Sequence, residues 1–318
     1  MALQQVHNSN DQAEASGYPT APPAGCYVPA VTFFDPETDR LCLDAQAKYY
    51  SYLASTGLTG LVILGTNAET FLLTREERMT LLQLARRSVP EGYPIIAGTS
   101  GHSTAQVLEF ITDAYNAGAN YVLVLPCAYF GKQTTPAVVK RFYKEVAASS
   151  PLPILIYNFP AVCNGWTSTP TSSRISHGSH ATLFPATRFA VFGGQSDFLV
   201  GGLASGSAGC IGAFCNVFPK VVARIYELWS SGQYSEALAL QKLVASAETA
   251  TKAGIANTKY AAAIFTAPRA GIADAVRLLK PRRPYEEPTD TVKRSIQTVM
   301  EALNREEKEI SVKPQSRL

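Results

Sequence analysis

Seven short apolar runs, each followed by a segment of helical period, limit what this chain can fold into. They cover residues 27–34, 61–64, 94–97, 121–125, 153–157, 189–192 and 210–214. Continuous apolar runs of this length suit parallel strands buried on both faces, and the helical segments supply the crossovers. Start signals stand where they should. Thr74 with Glu77 and Ser103 with Gln106 predict capping boxes, and Thr135-Pro136 puts proline at a first helical position. Gly57, Gly60 and Gly118 fall where helices stop and strands begin. The result is an α/β fold with a parallel sheet, doubly wound or closed.

Spacing locates one abnormality. A (β/α)8 TIM barrel of about 250 residues allots roughly 31 to each unit, and the 318-residue chain can hold one. Only seven strands can be counted, however, and residues 159–188 contain no apolar run of four. That interval is rich in turn formers and hydroxyls, as in Thr167-Ser168-Thr169-Pro170-Thr171-Ser172-Ser173. The pattern predicts a barrel whose sixth βα unit is truncated, with residues 165–185 either recruited as a makeshift strand or leaving a poorly stable sheet gap. Beyond residue 217 the period is helical throughout. The expected organisation is a disordered tail (1–24), the barrel (25–216), a C-terminal helical extension packed on it (217–304) and a charged, frayed tail (305–318).

Composition excludes several classes. With 17% charged residues and a formal net charge of +3, there is no electrostatic footprint for nucleic acid or an anionic membrane. The densest basic run, Lys280-Pro281-Arg282-Arg283, reads as a solvated helix exit. No apolar stretch reaches the roughly 20 residues of a membrane span. Residues 1–25 hold neither an apolar signal core nor an arginine, which suits a cytoplasmic protein. The six cysteines lack metal-type or disulfide spacing and read as reduced thiols.

Chemistry-bearing residues cluster at the C-terminal ends of strands, the face where barrels place active sites. Gly65-Thr66-Asn67-Ala68-Glu69 offers side chains and backbone N–H groups for a carboxylate, or an ordinary polar turn with Glu69 opening a helix. Tyr157, ending the fifth run, is a proton shuttle or a packed aromatic. Tyr129 sits on the loop after the fourth, and Gly193-Gly194 lets backbone approach a ligand closely. His177 and His180 form a weak metal pair on a Ser-rich loop, so no metal site is assigned. Gly201 to Gly206 lack the spacing of a dinucleotide fingerprint.

Taken in order, Val31-Thr32-Phe33-Phe34-Asp35, Gly65-Thr66-Asn67-Ala68-Glu69, Ala97-Gly98-Thr99-Ser100-Gly101-His102-Ser103-Thr104 and Tyr157-Asn158-Phe159-Pro160 resemble the dihydrodipicolinate synthase and N-acetylneuraminate lyase family of pyruvate class I aldolases. The run from Phe189 to Leu199 is most similar to its fungal 2-keto-3-deoxy-L-galactonate (L-threo-3-deoxyhexulosonate) aldolases. The resemblance implies a lyase that forms a Schiff base with a 2-keto acid and needs no cofactor. It implies Tyr157 as proton shuttle, Thr66 and Asn67 as carboxylate holders, Gly194 and Tyr129 as pocket residues, and a homo-oligomer (dimer or tetramer). The family lysine should lie between Tyr157 and Gly194, and residues 158–193 contain none. Two readings follow: an aldolase cleaving a 2-keto-3-deoxy sugar acid to pyruvate and an aldehyde, or a non-catalytic pseudoenzyme that binds a keto acid or assembles with paralogues.

Overall fold

The computed structural model describes residues 20–163 and 189–312. Seven strands are present among them: β1 (Gly25–Pro29), β2 (Gly60–Ile63), β3 (Ile95–Gly98), β4 (Tyr121–Val124), β5 (Ile154–Ile156), β6 (Phe192–Gly193) and β7 (Gly209–Ile211). They form one sheet in the order β5-β4-β3-β2-β1-β7-β6, parallel at every pairing. The helices between strands are α1 (Leu43–Ala54), α2 (Arg75–Ser88), α3 (Thr104–Asn116), α4 (Pro136–Ser149) and the short α5 (Leu199–Ala204). After β7 come α6 (Pro219–Ser230), α7 (Tyr234–Glu248), α8 (Ile255–Phe265), α9 (Ala275–Leu278) and α10 (Asp290–Glu309).

Successive strand residues point to opposite faces, and the chain uses both. Tyr27, Val62, Ile96 and Leu123 pack together on one face, joined by the half-buried Tyr121, Leu155, Tyr157, Phe192 and Ile211. Their neighbours Cys26, Val28, Leu61, Ile63, Ile95, Ala97, Val122 and Val124 face the helix layer and join the main core. This is the arrangement of a barrel, with an inner cluster of side chains and an outer ring of helices. It is incomplete among the described residues, because β5 and β6 end the sheet and each lacks a partner on its outer side. Ile156 on the β5 edge is 64% exposed. An eighth strand would stand in this place. The makeshift strand expected at residues 165–185 lies outside the described residues, as do His177 and His180.

The start signals work as expected at the helix ends. Thr74 and Glu77 form a reciprocal capping box, and Thr135 caps α4 with Pro136 at its first turn. Ser103 accepts from the Gln106 N–H, but Gln106 turns its own side chain to the N–H of His102, one residue further back. The first run gives a shorter strand than its apolar length suggests, ending at Pro29. Beyond it, side chains replace a neighbouring strand. Asn216 accepts from Val31 N–H and donates to Pro29 C=O; Gln46 accepts from Phe33 N–H and donates to Val31 C=O. The sixth run is likewise reduced to the two residues of β6. All six cysteines are free.

The last helix runs past residue 304 to Glu309, so the expected charged tail is in part structural. Glu307 is fully buried. Its carboxylate accepts the N–H groups of Lys220 and Val221 in the first turn of α6, at 3.1 and 2.9 Å, where unpaired donors and the helix dipole favour an anion. Burial nevertheless pushes Glu307 up to about 7. Burial does the same to Glu248, also to about 7, although Ser196 Oγ donates to it at 2.6 Å. Between the ordinary 4.5 and 7 the native state therefore binds more protons than the unfolded chain, and stability falls as pH rises. Each group contributes at most about 3 kcal/mol to this slope. We expect the urea midpoint to drop between pH 5 and 7, and Glu248→Gln with Glu307→Gln to flatten the drop. An unchanged slope in the double variant would remove both groups as its cause.

Candidate active site

Four loops at the C-terminal strand ends carry the residues singled out in the sequence. After β2 the chain does not run straight into a helix. Leu64 takes a left-handed conformation (φ 64°), and Thr66–Ala68 then form a tight 3-10 turn. Glu69 is left-handed too (φ 57°) and links that turn to a second one, Thr70–Leu72. It thus precedes a 3-10 turn and does not lie in the first turn of an α-helix, as the plain-turn reading had it. The Leu64 conformation aims its carbonyl at β3. A Cβ on Gly98 would lie 1.9 Å from Leu64 O, so only glycine fits there. The turn is tied inward by Thr32, whose hydroxyl donates to Ala68 C=O at 2.9 Å.

Tyr157 follows β5, where its N–H donates to Val124 C=O. Its ring lies on the inner face of the sheet, stacked 5.8 Å from Phe159. Its hydroxyl reaches the first loop: Tyr157 Oη and Thr66 Oγ1 are 3.5 Å apart. Two residues 91 positions apart thus meet at the barrel mouth. Burial raises the Tyr157 hydroxyl above its ordinary range, and the Thr66 contact offsets part of the rise. A phenol kept protonated beside a hydroxyl can hand a proton to a bound substrate and take one back. Asn67 is half-buried in the same turn.

Gly194 lies past β6, exposed, and a Cβ added there would meet nothing within 4 Å. Its loop is anchored by α7: Ser196 is held by Glu248 and by Gln241, which donates to Ser196 C=O at 2.9 Å. Tyr129 stands apart from the Thr66 and Tyr157 contact. It is 76% exposed and forms an outward aromatic ladder with Phe71, His102 and Phe130.

Among the described residues, Lys252 and Lys259 reach these loops from beyond the last strand. Lys252 pairs with Asp197. Lys259 on α8 is fully buried, its Nζ 2.6 Å from Glu69 Oε1. Burial brings it down to about 8, with Glu69 opposing the shift. Its burial and its carboxylate partner shut it off from a ligand at the barrel mouth. Sequence reading missed the roles of Glu69, Lys259 and Arg282. Arg282 is not a solvated exit: its guanidinium binds Glu77 at 2.6 Å and Asp39 at 3.1 Å, and its N–H donates to Glu69. No group of three His, Cys, Asp or Glu among the described residues is placed to hold a metal.

The sequence profile of the dihydrodipicolinate synthetase family matches residues 22–177 and 181–302. The chain belongs to this family. A relative from Coccidioides immitis, named as a putative mitochondrial 4-hydroxy-2-oxoglutarate aldolase, is 54% identical over 306 residues, covering 89% of this chain and 96% of that protein. The L-threo-3-deoxy-hexylosonate aldolase of Aspergillus niger is 32% identical, covering 74% and 84%. The crystal structure of a putative dihydrodipicolinate synthase family protein from Coccidioides immitis superimposes with a TM-score of 0.83 at 50% identity, covering 92% of this chain and 99% of that one. The barrel fold is shared with solved structures at 20% identity, with a TM-score of 0.75. No helix among the described residues is long and apolar enough to cross a membrane. The name of the Coccidioides relative places it in mitochondria, so the cytoplasmic expectation gains no support from it.

Proposed function

We propose that this family member carries the site of a Schiff-base aldolase for 2-keto acids hydroxylated at C4, and that the chain has lost the lysine on which turnover depends. The observation that carries the reading is the meeting of Thr66 and Tyr157 at the barrel mouth, 3.5 Å apart; the stretch that follows Tyr157, residues 158–193, contains no lysine. Thr66, Asn67 and the backbone of their turn receive the carboxylate, and Gly194 leaves room on the opposite side. In a complete site an ε-amine adds to the C2 carbonyl and expels water. The resulting iminium accepts the electron pair of the C3–C4 bond as the C4 hydroxyl loses its proton and leaves as an aldehyde. Tyr157 takes that proton and returns one to C3, and hydrolysis frees pyruvate.

Two sequence facts support the loss. The family profile breaks at residues 178–180, inside the interval where strand counting falls one short. Also, 89% of 318 residues is about 283, so about 23 of the 306 positions aligned with the Coccidioides relative have no counterpart here. That is enough for one strand and part of its loop. The names of the relatives divide between a 4-hydroxy-2-oxoglutarate aldolase and a deoxyhexylosonate aldolase. Both substrates are 2-keto acids that can yield pyruvate, and the higher identity favours the first.

The chain as it stands is thus a keto-acid binder. Pyruvate with borohydride is expected to leave its intact mass unchanged, while calorimetry detects pyruvate binding that Thr66→Val weakens about tenfold. A covalent adduct on any lysine overturns the pseudoenzyme reading; Lys252, next to the Gly194 loop, is the side chain to map first. Absence of pyruvate binding overturns the site assignment. The ladder of Phe71, His102, Tyr129 and Phe130, exposed on three neighbouring loops, supports association with a second copy, with Tyr129 at the subunit boundary.

A further inference from the structure

The turn bearing Thr66 and Asn67 is bracketed by two left-handed non-glycine residues, Leu64 and Glu69. Such backbone persists only where its surroundings over-determine it. Glu69 is over-determined by the C-terminal part of the chain. Lys259 Nζ lies 2.6 Å from its Oε1, and the Arg282 N–H donates to its Oε2 at 2.8 Å. These partners are 190 and 213 residues away in sequence. Lys259 is fully buried and Glu69 is 6% exposed. The ammonium also lies 4.7 Å from the Phe34 ring centroid. The guanidinium of Arg282 is taken up by Asp39 and Glu77, which leaves Glu69 as the carboxylate paired with Lys259.

A buried ion pair adds little net stability over an apolar pair of the same volume. What this one supplies is direction, because each carboxylate oxygen of Glu69 is held by a separate donor from the C-terminal part of the chain, which limits how far the main chain at Glu69 can relax. We propose that Lys259 and the main chain of Arg282 clamp Glu69 so that the Thr66 and Asn67 turn is preset to receive the substrate carboxylate, which makes Lys259 a positioning residue of the keto-acid site. This deepens the keto-acid reading and rests on it. The helices after the barrel are thereby part of the binding apparatus, although none of their side chains is required to touch the ligand.

The experiment compares the full-length chain with Lys259→Met, Glu69→Gln and the double variant. It measures pyruvate affinity by calorimetry, melting temperature, and amide exchange of residues 64–70. Each single variant is expected to lower the melting temperature, to weaken pyruvate binding about tenfold and to speed exchange in the turn. The double variant, with no unpaired buried charge, is expected to regain melting temperature while affinity and slow exchange stay lost. A double variant that regains all three overturns the clamp and leaves a plain core ion pair. A wild-type chain that binds no pyruvate counts against the keto-acid reading instead. In that event amide exchange decides the clamp alone, and unchanged protection at residues 64–70 in the double variant would sink it.

Discussion

A chain in which residues 178–180, where the family profile breaks, are replaced by the corresponding stretch of the Coccidioides relative is expected, on the proposed reading, to form a borohydride-trapped pyruvate adduct and to gain aldolase turnover on the order of 10⁴-fold or more. The size follows from the chemistry. Only an amine can supply the electron sink of an iminium, so on the proposed reading its loss would remove the reaction instead of slowing it. The same graft should raise thermal stability, because an eighth strand between β5 and β6 would pair two strand edges that end the described sheet and would cover Ile156, now 64% exposed. The assay is intact-mass spectrometry after borohydride, coupled to detection of released pyruvate. A graft that folds as judged by circular dichroism, binds pyruvate and still forms no adduct would show that the deficiency lies elsewhere in the site.

Gly98→Ala is expected to cost about 3 kcal/mol or more, among the largest effects of any single methyl in this molecule. The new Cβ would lie 1.9 Å from the Leu64 oxygen and 2.5 Å from the Leu64 carbonyl carbon. Both are backbone atoms, so no side chain can swing aside. Either β3 moves off β2, breaking the Leu61, Val62 and Ile63 register, or Leu64 leaves its left-handed conformation and carries the Thr66 turn with it. Relief by the second route would also weaken pyruvate binding. Gly201→Ala is the control: it lies in α5, without positive φ and with nothing within 4 Å of the added atom. It should change stability by about 0.5 kcal/mol, in either direction. Urea denaturation of both variants decides the matter, and equal midpoints would refute the close-approach account.

What could be read along the sequence was whatever the chain writes locally. Period and apolar runs give seven parallel strands in the right places, and Thr74, Glu77, Thr135 and Pro136 mark helix starts because capping is settled within four residues. The site loops were legible by motif order. Their geometry was not. The left-handed Leu64 has no local signature, and the glycine that makes room for its carbonyl, Gly98, is on another strand. Glu69 read as an ordinary turn acid because its partners Lys259 and Arg282 lie 190 and 213 residues away. Gln46 and Asn216 carry no motif, yet they satisfy the backbone after β1. Glu307 sat in what reads as a solvated charged tail, and only the N-terminus of α6 explains its burial.

The sheet order has a consequence for the order of synthesis. β1 pairs on one side with β2, made soon after it, and on the other with β7, which begins at Gly209. One flank of the first strand must therefore wait on the ribosome until nearly two-thirds of the chain has emerged. Over that period Cys26 and Tyr27, both buried in the finished fold and paired with β7, have no second strand neighbour. Pairing across so long a sequence separation is slow and leaves apolar strand edges open to other chains. A nascent chain of this protein would hence lean on chaperones longest at its own beginning, and the half-built sheet would be completed from its first strand outward in both directions.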